Sequence, residues 1–407
     1  MTRARPTRRL IVVLVVVAVL AGCAGSNRTR PADLGSPVAA PPGPVPSVWP
    51  AGMADNRHQA TSAASGPRTG TLRWRRQLEG AVVPGPVIAG DGSILAASNA
   101  GVLHALDPLT GADRWTYDGG GSYGDDLSTS ALVVADGTIL WPGPHSMLFA
   151  VSASGAALWQ EQFDGLVLSP APGVNGRVYV ADRAGSLTAI EVGAGGAHRR
   201  VWTLDVGSPT YGSPAIAGDG TVLTTGGNDL VAVTDAGDQG AIRWRFATGA
   251  LIEVSPAVTR RDVVVVGSND GNEYGVDLSG DQRWRFHIGD FPYSSSTVAG
   301  DDVRFGDNDG HLYRLDANTG ERRSEARSQP SGGSPDGVWT AAAVDVAGNA
   351  YFGTTAGHLL GADPDGSILF DLSTAGMVAS YPAIGATGDV YIGSGDGYLY
   401  ALAGNGA

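Results

Sequence analysis

The chain has 407 residues but only one cysteine, Cys23, and no lysine, so every one of its 27 Lys and Arg residues is an arginine. A single cysteine excludes an internal disulfide and a multi-thiolate metal site. The absence of lysine excludes Schiff-base and lysine-base catalysis. The net charge is −13, which argues against nucleic acid as a partner, because binding to phosphates needs a basic surface.

The first 22 residues have the pattern of an export signal. Four arginines within the first nine residues precede an apolar run, 10–20, that is too short to span a bilayer comfortably. The sequence Leu20-Ala-Gly-Cys23 resembles a bacterial lipobox. This resemblance implies that residues 1–22 are removed and that Cys23 carries acyl chains such as palmitate. Loss of the four arginines would take the net charge from −13 to −17.

Residues 23–47 are rich in Pro, Ala and Gly, with five prolines between positions 37 and 46, which is too dense for a helix or strand. We interpret this segment as a flexible tether. Residues 48–407 then form one large β-domain. An Asp directly after the lipobox Cys would resemble an inner-membrane retention signal, but this chain has Ala24 there. We therefore expect the protein on the extracytoplasmic face of the cell membrane, or on the outer membrane in a cell that has one.

A repeated phrase runs through the domain: a short apolar strand seed that starts with small residues, a Gly turn, further strands, and a closing Trp. Closing tryptophans recur every 40 to 44 residues from Trp74 to Trp284, which is the length of a four-stranded propeller blade. The predicted innermost strands start with the segments Gly85–Ile88, Thr129–Leu132, Ser169–Pro172, Ser213–Ile216, Ser255–Val258, Ser295–Val298, Ala341–Val344 and Tyr381–Ile384.

The eighth unit ends at Leu402-Ala403 without an outer strand. The segment Thr69–Trp74 matches Thr110–Trp115 position by position, so it can supply the missing strand and cover both ends of the array. The sequence therefore predicts an all-β fold, an eight-bladed β-propeller of four-stranded antiparallel blades whose ring is closed by an N-terminal strand in the last blade.

The motif Leu-Asp-x-x-Thr-Gly-x-x-x-Trp at 106–115, with its Gly turns, resembles the quinoprotein-like (PQQ-like) propeller repeat over Trp49 to Ala407. That family includes quinone-dependent dehydrogenases and non-enzymatic scaffold lipoproteins. The resemblance implies that a dehydrogenase would need a vicinal cysteine pair, which a chain with one cysteine cannot form. We therefore expect no cofactor and no catalytic residue. Ser324 and Phe370 replace the closing Trp in the sixth and seventh units, so we expect looser packing there.

Acidic turns such as 307–310 could hold calcium, but an Asp-Gly pair is also a standard hairpin turn, and the full calcium loop with its distal Glu is absent. His311 and His358 occupy equivalent positions in different blades, too far apart for a shared metal centre. We expect no metal site.

Function in a propeller resides on its variable loops. The connections from each outer strand to the next inner strand leave one face and bear aromatic residues that can anchor a partner. The candidate binding residues on this face are Tyr117, Tyr123, Asp125, Asp126, Tyr211, Glu253, Phe291, Tyr293, Trp339 and Tyr381. The alternative is that some of these aromatics plug the axial channel.

The sequence thus predicts a non-catalytic, lipid-anchored scaffold that presents one propeller face to an envelope protein or cell-surface ligand. A sensor or carrier that holds a small molecule or glycan fragment at the channel mouth is the alternative, and a quinone-dependent dehydrogenase is a third.

Overall fold

A computed structural model describes residues 49–123, 129–173, 176–328 and 336–404, all within the compact unit Leu34–Ala407. In these residues, strands form eight four-stranded antiparallel sheets. Each sheet runs from its innermost to its outermost strand in chain order, except the last, whose outermost strand is β1 (Leu72–Gln77). The predicted eight-bladed propeller is confirmed.

The blades follow one another in chain order. Blade 1 consists of β2 (Val87–Ile88), β3 (Ile94–Ala97), β4 (Val102–Leu106) and β5 (Asp113–Asp118), and blade 2 of β6 (Leu132–Val133), β7 (Ile139–Gly143), β8 (Met147–Val151) and β9 (Ala157–Gln162). Blade 3 consists of β10 (Ala171–Pro172), β11 (Arg177–Ala181), β12 (Ser186–Val192) and β13 (His198–Asp205), and blade 4 of β14 (Ala215–Ile216), β15 (Val222–Gly226), β16 (Asp229–Asp235) and β17 (Gly240–Ala247).

The second half of the ring repeats this arrangement. Blade 5 consists of β18 (Ala257–Val258), β19 (Val264–Ser268), β20 (Asn272–Val276) and β21 (Gln282–His287), and blade 6 of β22 (Thr297–Ala299), β23 (Asp302–Gly306), β24 (His311–Asp316) and β25 (Arg322–Arg327). Blade 7 consists of β26 (Ala343–Val344), β27 (Ala350–Gly353), β28 (His358–Ala362) and β29 (Ile368–Ser373), and blade 8 of β30 (Ala383–Ile384), β31 (Val390–Gly393), β32 (Tyr398–Leu402) and β1. Two short 3-10 turns lie at Pro144–Ser146 and Ala194–Gly196.

The two ends of the array meet in blade 8. β1 pairs antiparallel with β32, with Trp74 opposite Ala401 and Arg75 opposite Tyr400. Pairing with β1 gives β32 a partner along its outer edge, which would otherwise be exposed. The ring closure expected from the sequence is therefore confirmed.

The closing tryptophans join neighbouring blades. The Trp74 Nε1–H donates to the Pro108 carbonyl of blade 1 at 2.9 Å, and Trp244 makes the same bond to Leu278 of the next blade at 2.8 Å. A turn glycine of the next blade lies beneath the Trp74 ring: Gly111 has φ +69°, and an added Cβ would come within 2.7 Å of the Trp74 side chain. The Gly and Trp of the Thr-Gly-x-x-x-Trp motif thus take part in contacts between neighbouring blades.

The two units that lack the closing Trp keep part of this contact. The Ser324 hydroxyl donates to the Pro364 carbonyl at 2.7 Å, as the Trp74 indole donates to the Pro108 carbonyl, but it cannot fill the space of an indole. Phe370 is 9 % exposed, as Trp74 is, and stacks on Tyr351 at 6.2 Å. The loss of a large side chain from the outer part of the ring therefore affects mainly the interface between blades 6 and 7.

Residues 49–62 wind around the axis inside the ring, a role that the sequence did not predict. Backbone N–H groups of six inner strands donate to successive carbonyls of this segment at 2.7 to 3.4 Å: Ile88 to Trp49, Val133 to Pro50, Ile216 to Asn56, Val258 to Arg57, Val298 to His58 and Val344 to Ala60. These bonds satisfy strand groups that would otherwise lack a partner at the axis. Trp49 is completely buried.

Candidate binding face

The strands of a blade alternate in direction, so the loops from each outer strand to the next inner strand leave on one side of the ring. We call this side the loop face, and we define it by the loops 78–86, 163–170, 206–214, 248–256, 288–296 and 374–382 and the described ends of 119–131 and 328–342. The hairpins between first and second strands, such as 299–302 and 345–349, leave on the opposite face.

Three aromatic side chains from two adjacent loops form an exposed cluster on the loop face. The rings of Tyr293 and Trp339 are stacked, with centroids 4.9 Å apart and planes 18° apart. Phe291 meets Tyr293 edge-to-face at 6.3 Å. Phe291 is 43 % exposed and Tyr293 37 % exposed, while Trp339 is half-buried. We call Phe291, Tyr293 and Trp339 the aromatic cluster.

Polar contacts hold the aromatic cluster in place. The Trp339 indole N–H donates to Asn308 Oδ1 at 2.6 Å, which fixes the ring against the β23–β24 hairpin. Asp290 Oδ1 accepts the backbone N–H of Phe291 at 2.7 Å. An aromatic side chain that is held in advance loses little entropy when it binds a partner.

The surroundings of the cluster are acidic. Burial raises the pKa of the Tyr293 hydroxyl, and the negative charges of Glu253 and Asp290 raise it further. Glu253 Oε2 accepts a hydrogen bond from Asn269 Nδ2 at 2.7 Å, so its carboxylate is oriented beside the cluster. The site therefore combines apolar rings with negative charge.

The inner rim of the ring is built from the repeated serines. Backbone N–H groups at the strand starts donate to the serine of the next blade, Ser130 to Ser169 Oγ at 2.8 Å and Ser255 to Ser295 Oγ at 3.0 Å. Tyr381 reaches from blade 8 to within 3.4 Å of Ser295 Oγ in blade 6. These serines join blades, so a structural role accounts for the Ser-Pro-Ala repeat.

Other candidate residues lie in different surroundings. Tyr117 and Tyr123 pack against the core of blades 1 and 2, each edge-to-face with Trp141 at 6.1 Å. The Tyr123 hydroxyl donates to the Pro142 carbonyl, and burial raises its pKa. Tyr211 lies under the Arg183 guanidinium, 4.7 Å from the ring centroid. The structure gives these three rings packing contacts, and their binding role stays a prediction.

Some predictions fall outside the described residues, namely the binding role of Asp125 and Asp126 in the first long loop and the predicted acylation of Cys23. The sequence predicted Phe291, Tyr293 and Trp339 as separate candidate residues but did not predict that their side chains are in contact. Their contact could have been inferred from the blade order, because loops 288–296 and 328–342 are consecutive connections around the ring.

The acidic turn 307–310 is occupied by hydrogen-bond donors. Asp307 Oδ2 accepts from the Tyr313 hydroxyl at 2.9 Å and lies 3.1 Å from His311 Nδ1. Its Oδ1 accepts backbone N–H groups, as expected for a hairpin turn. Across the part of the chain that the structure describes, no cluster of three or more His, Cys, Asp or Glu side chains is arranged to hold a metal ion.

Known protein families provide a direct comparison with this fold. The family described as outer membrane protein assembly factor BamB matches residues 57–166, 145–308 and 236–406, which together span most of the chain. The chain belongs to this family. Its PQQ-like propeller repeat, expected from the sequence, is confirmed.

Individual relatives are more distant. The chain is 25 % identical over 223 residues to outer membrane protein assembly factor BamB of Moranella endobia (strain PCIT), an alignment that covers 52 % of this chain and 55 % of that protein. The chain thus spans about half the length of the curated relatives that it matches.

Solved structures share the fold at lower identity. BamB from Moraxella catarrhalis superimposes with a TM-score of 0.57 at 18 % identity, covering 82 % of this chain and 99 % of that one. Quinohemoprotein alcohol dehydrogenase from Comamonas testosteroni gives a TM-score of 0.67 at 14 % identity, covering 88 % and 80 % respectively. Both likenesses concern the propeller fold alone. In the ranges that the structure describes, we find no helix with the length and apolarity needed to span a membrane.

Proposed function

We propose that this protein is a lipid-anchored, non-catalytic scaffold of the cell envelope that binds a protein partner through its loop face. The observation that carries the proposal is the aromatic cluster: Tyr293 and Trp339 are stacked, a hydrogen bond to Asn308 holds the Trp339 indole, and both rings are partly exposed. Exposed aromatic groups held in this way are typical anchors of protein interfaces. Membership of a family described as an outer membrane assembly factor supports the same assignment.

The anchor follows from the lipobox-like segment at Cys23. Two or more acyl chains, each stabilising membrane association by about 0.8 kcal/mol per buried CH₂, would hold the protein on a bilayer. The tether 23–47 would let the propeller reach on the order of 30 Å from that point. We place the protein on the extracytoplasmic face of the cell membrane, or on the outer membrane of a cell with two membranes.

Charge indicates the chemistry of the partner. The carboxylates of Glu253 and Asp290 make the electrostatic potential at Tyr293 more negative, and the whole chain is acidic. A partner surface that offers apolar groups flanked by arginine or lysine would be complementary to this site. The same acidity keeps the loop face away from anionic lipid headgroups, which leaves it free for a protein.

The alternative carrier function would place a small molecule at the channel mouth. Residues 49–62 already occupy the axis, since six inner strands donate to their carbonyls, and Tyr381 reaches Ser295 across the rim. The space for a ligand at the axis is therefore reduced. This packing favours the scaffold over the carrier.

Co-purification tests the proposal. The full chain, extracted from its native membrane in mild detergent, should bring down a stoichiometric protein, and the double variant Phe291→Ala and Tyr293→Ala should lose it. A matched control is Leu109→Ala with Ile242→Ala, which removes two exposed apolar side chains elsewhere on the ring. Retention of the partner by the cluster variant, or release of a small molecule on denaturation with no protein partner, would contradict the scaffold function.

A further inference from the structure

A cavity of about 390 Å³ opens on the face opposite the loop face, at the junction of blades 6 and 7. Residues 61–63 line it, together with the β22–β23 and β26–β27 hairpins. Its lining includes Ser62, Arg260, Asp302, Arg304, Asp345 and Gly348. It lies beside the interface where Ser324 replaces the closing Trp.

Arg304 breaks the pattern of the repeat. In each blade, one residue of the second strand lies opposite the first paired residue of the inner strand, and in seven blades it is apolar or Tyr. These residues are Leu95, Leu140, Tyr179, Leu223, Val265, Tyr351 and Tyr391, while blade 6 has Arg304 opposite Thr297. A charged group at a position that otherwise holds apolar side chains is costly to bury and suggests a function.

The Arg304 guanidinium is buried but incompletely bonded. Its side chain is 4 % exposed, its Nη2 donates to the Gly348 carbonyl at 3.1 Å, and its Nη1 has no hydrogen-bond partner among the described residues. The nearest carboxylate oxygen, Asp302 Oδ2, is 3.9 Å from Nη2. Burial lowers the pKa of Arg304 to about 10, so the group stays cationic at neutral pH.

The acidic groups near the cavity are committed to other donors. Asp302 accepts from Arg314 Nε at 2.8 Å and from Arg323. Asp345 accepts from the Gly66 backbone N–H at 2.9 Å, and also from Asn349 and the Tyr351 hydroxyl. Neither carboxylate is therefore positioned to complete the hydrogen bonding of Arg304.

A second arginine lines the same cavity. Arg260 is exposed and makes no hydrogen bond or ion pair to any residue within the described ranges. The Ser62 hydroxyl oxygen accepts the Ala64 N–H at 3.1 Å, which leaves the hydroxyl proton available to donate. The cavity thus holds several donors whose acceptors the protein does not supply.

We propose that this cavity is a binding site for a small oxyanion, a phosphate or carboxylate group, held between Arg304 and Arg260. Planar guanidinium groups bind such oxyanions with charge-assisted hydrogen bonds. The bound oxygen would complete the hydrogen bonding of Arg304 Nη1, and the position on the opposite face separates this site from the aromatic cluster.

Titration of the full chain in detergent tests the site, with inorganic phosphate and succinate as separate probes and chloride used to keep the ionic strength constant. We expect a saturable rise in the thermal midpoint with at least one probe, confirmed by heat of binding in calorimetry. A response to phosphate alone identifies a phosphate site, one to succinate alone a carboxylate site, and both support a general oxyanion site. No saturable response beyond chloride would overturn the proposal.

Variants separate binding from structure. Arg304→Leu restores the residue type of Leu95 and should still fold, while its affinity for the active probe should fall by about tenfold or more, since one charge-assisted hydrogen bond is lost. Arg260→Gln, on the surface, should also weaken binding. Arg243→Gln, which removes an exposed arginine paired with Asp219 in blade 4, should bind as the wild type does. Unchanged affinity in both the Arg304 and the Arg260 variants would contradict the assignment.

Discussion

Trp74 is the side chain that joins the two ends of the ring, and its replacement by Ala tests ring closure. The indole is 9 % exposed, packs 5.9 Å from the Tyr391 ring and donates to the Pro108 carbonyl of blade 1. Removing a buried Trp costs about 3 to 5 kcal/mol, and the lost hydrogen bond adds about 1 kcal/mol. With an unfolding entropy of about 2.1 cal/mol/K per residue, the thermal midpoint of this domain should fall by roughly 5 to 8 °C.

Native-state trypsin digestion makes the Trp74 test specific for closure. β1 contains Arg73, Arg75 and Arg76, which are protected while β1 pairs with β32. In Trp74→Ala we expect faster cleavage in β1. Trp244→Ala is the matched control, because Trp244 makes the same bond to the next blade within the continuous part of the chain. An unchanged midpoint, or β1 cleavage no faster than in the Trp244 variant, would refute this reasoning.

Two further predictions concern the anchor and a buried acid. Cys23→Ser should abolish incorporation of a fatty-acid probe without changing the thermal midpoint of the propeller, and persistent labelling would contradict the lipoprotein assignment. Glu273 is completely buried with one carboxylate oxygen unbonded among the described residues, and burial raises its pKa to about 8. Since the folded chain holds this proton where the unfolded chain releases it, wild-type stability relative to Glu273→Gln should fall as pH rises from about 5 to about 8. The measurement is the thermal midpoint of both proteins across this pH range. A difference between the two midpoints that does not change with pH would show that Glu273 does not titrate in this way.

The number and order of the blades could be predicted from the sequence because contacts between blades require particular residues at fixed positions of the repeat. Trp74 needs Gly111 beneath it, and most of the inner-strand segments start with small residues, so spacing and residue type indicated the architecture. The match between 69–74 and 110–115 similarly predicted the pairing of β1 with β32.

Other features of the structure have no recognisable sequence pattern. The axial segment 49–62 is held by backbone carbonyls, which any side-chain pattern can supply. Arg304 lies in a strand whose sequence, Asp-Val-Arg-Phe-Gly, does not show which face is buried until its register with Thr297 is known. Tyr123 and Phe291 both lie on loops, and only the packing around Trp141 distinguishes the half-buried ring from the exposed one.

The most direct test of the scaffold function is site-specific photo-crosslinking in the native cell. A photoreactive phenylalanine analogue at Phe291 should give a discrete adduct with one envelope protein, and Trp339→Ala should reduce its yield. The same analogue at Leu109, which is 63 % exposed on the opposite face, is the control and should give no such adduct. An adduct of equal yield at both positions, or at Leu109 alone, would contradict the assignment of the loop face as the binding surface.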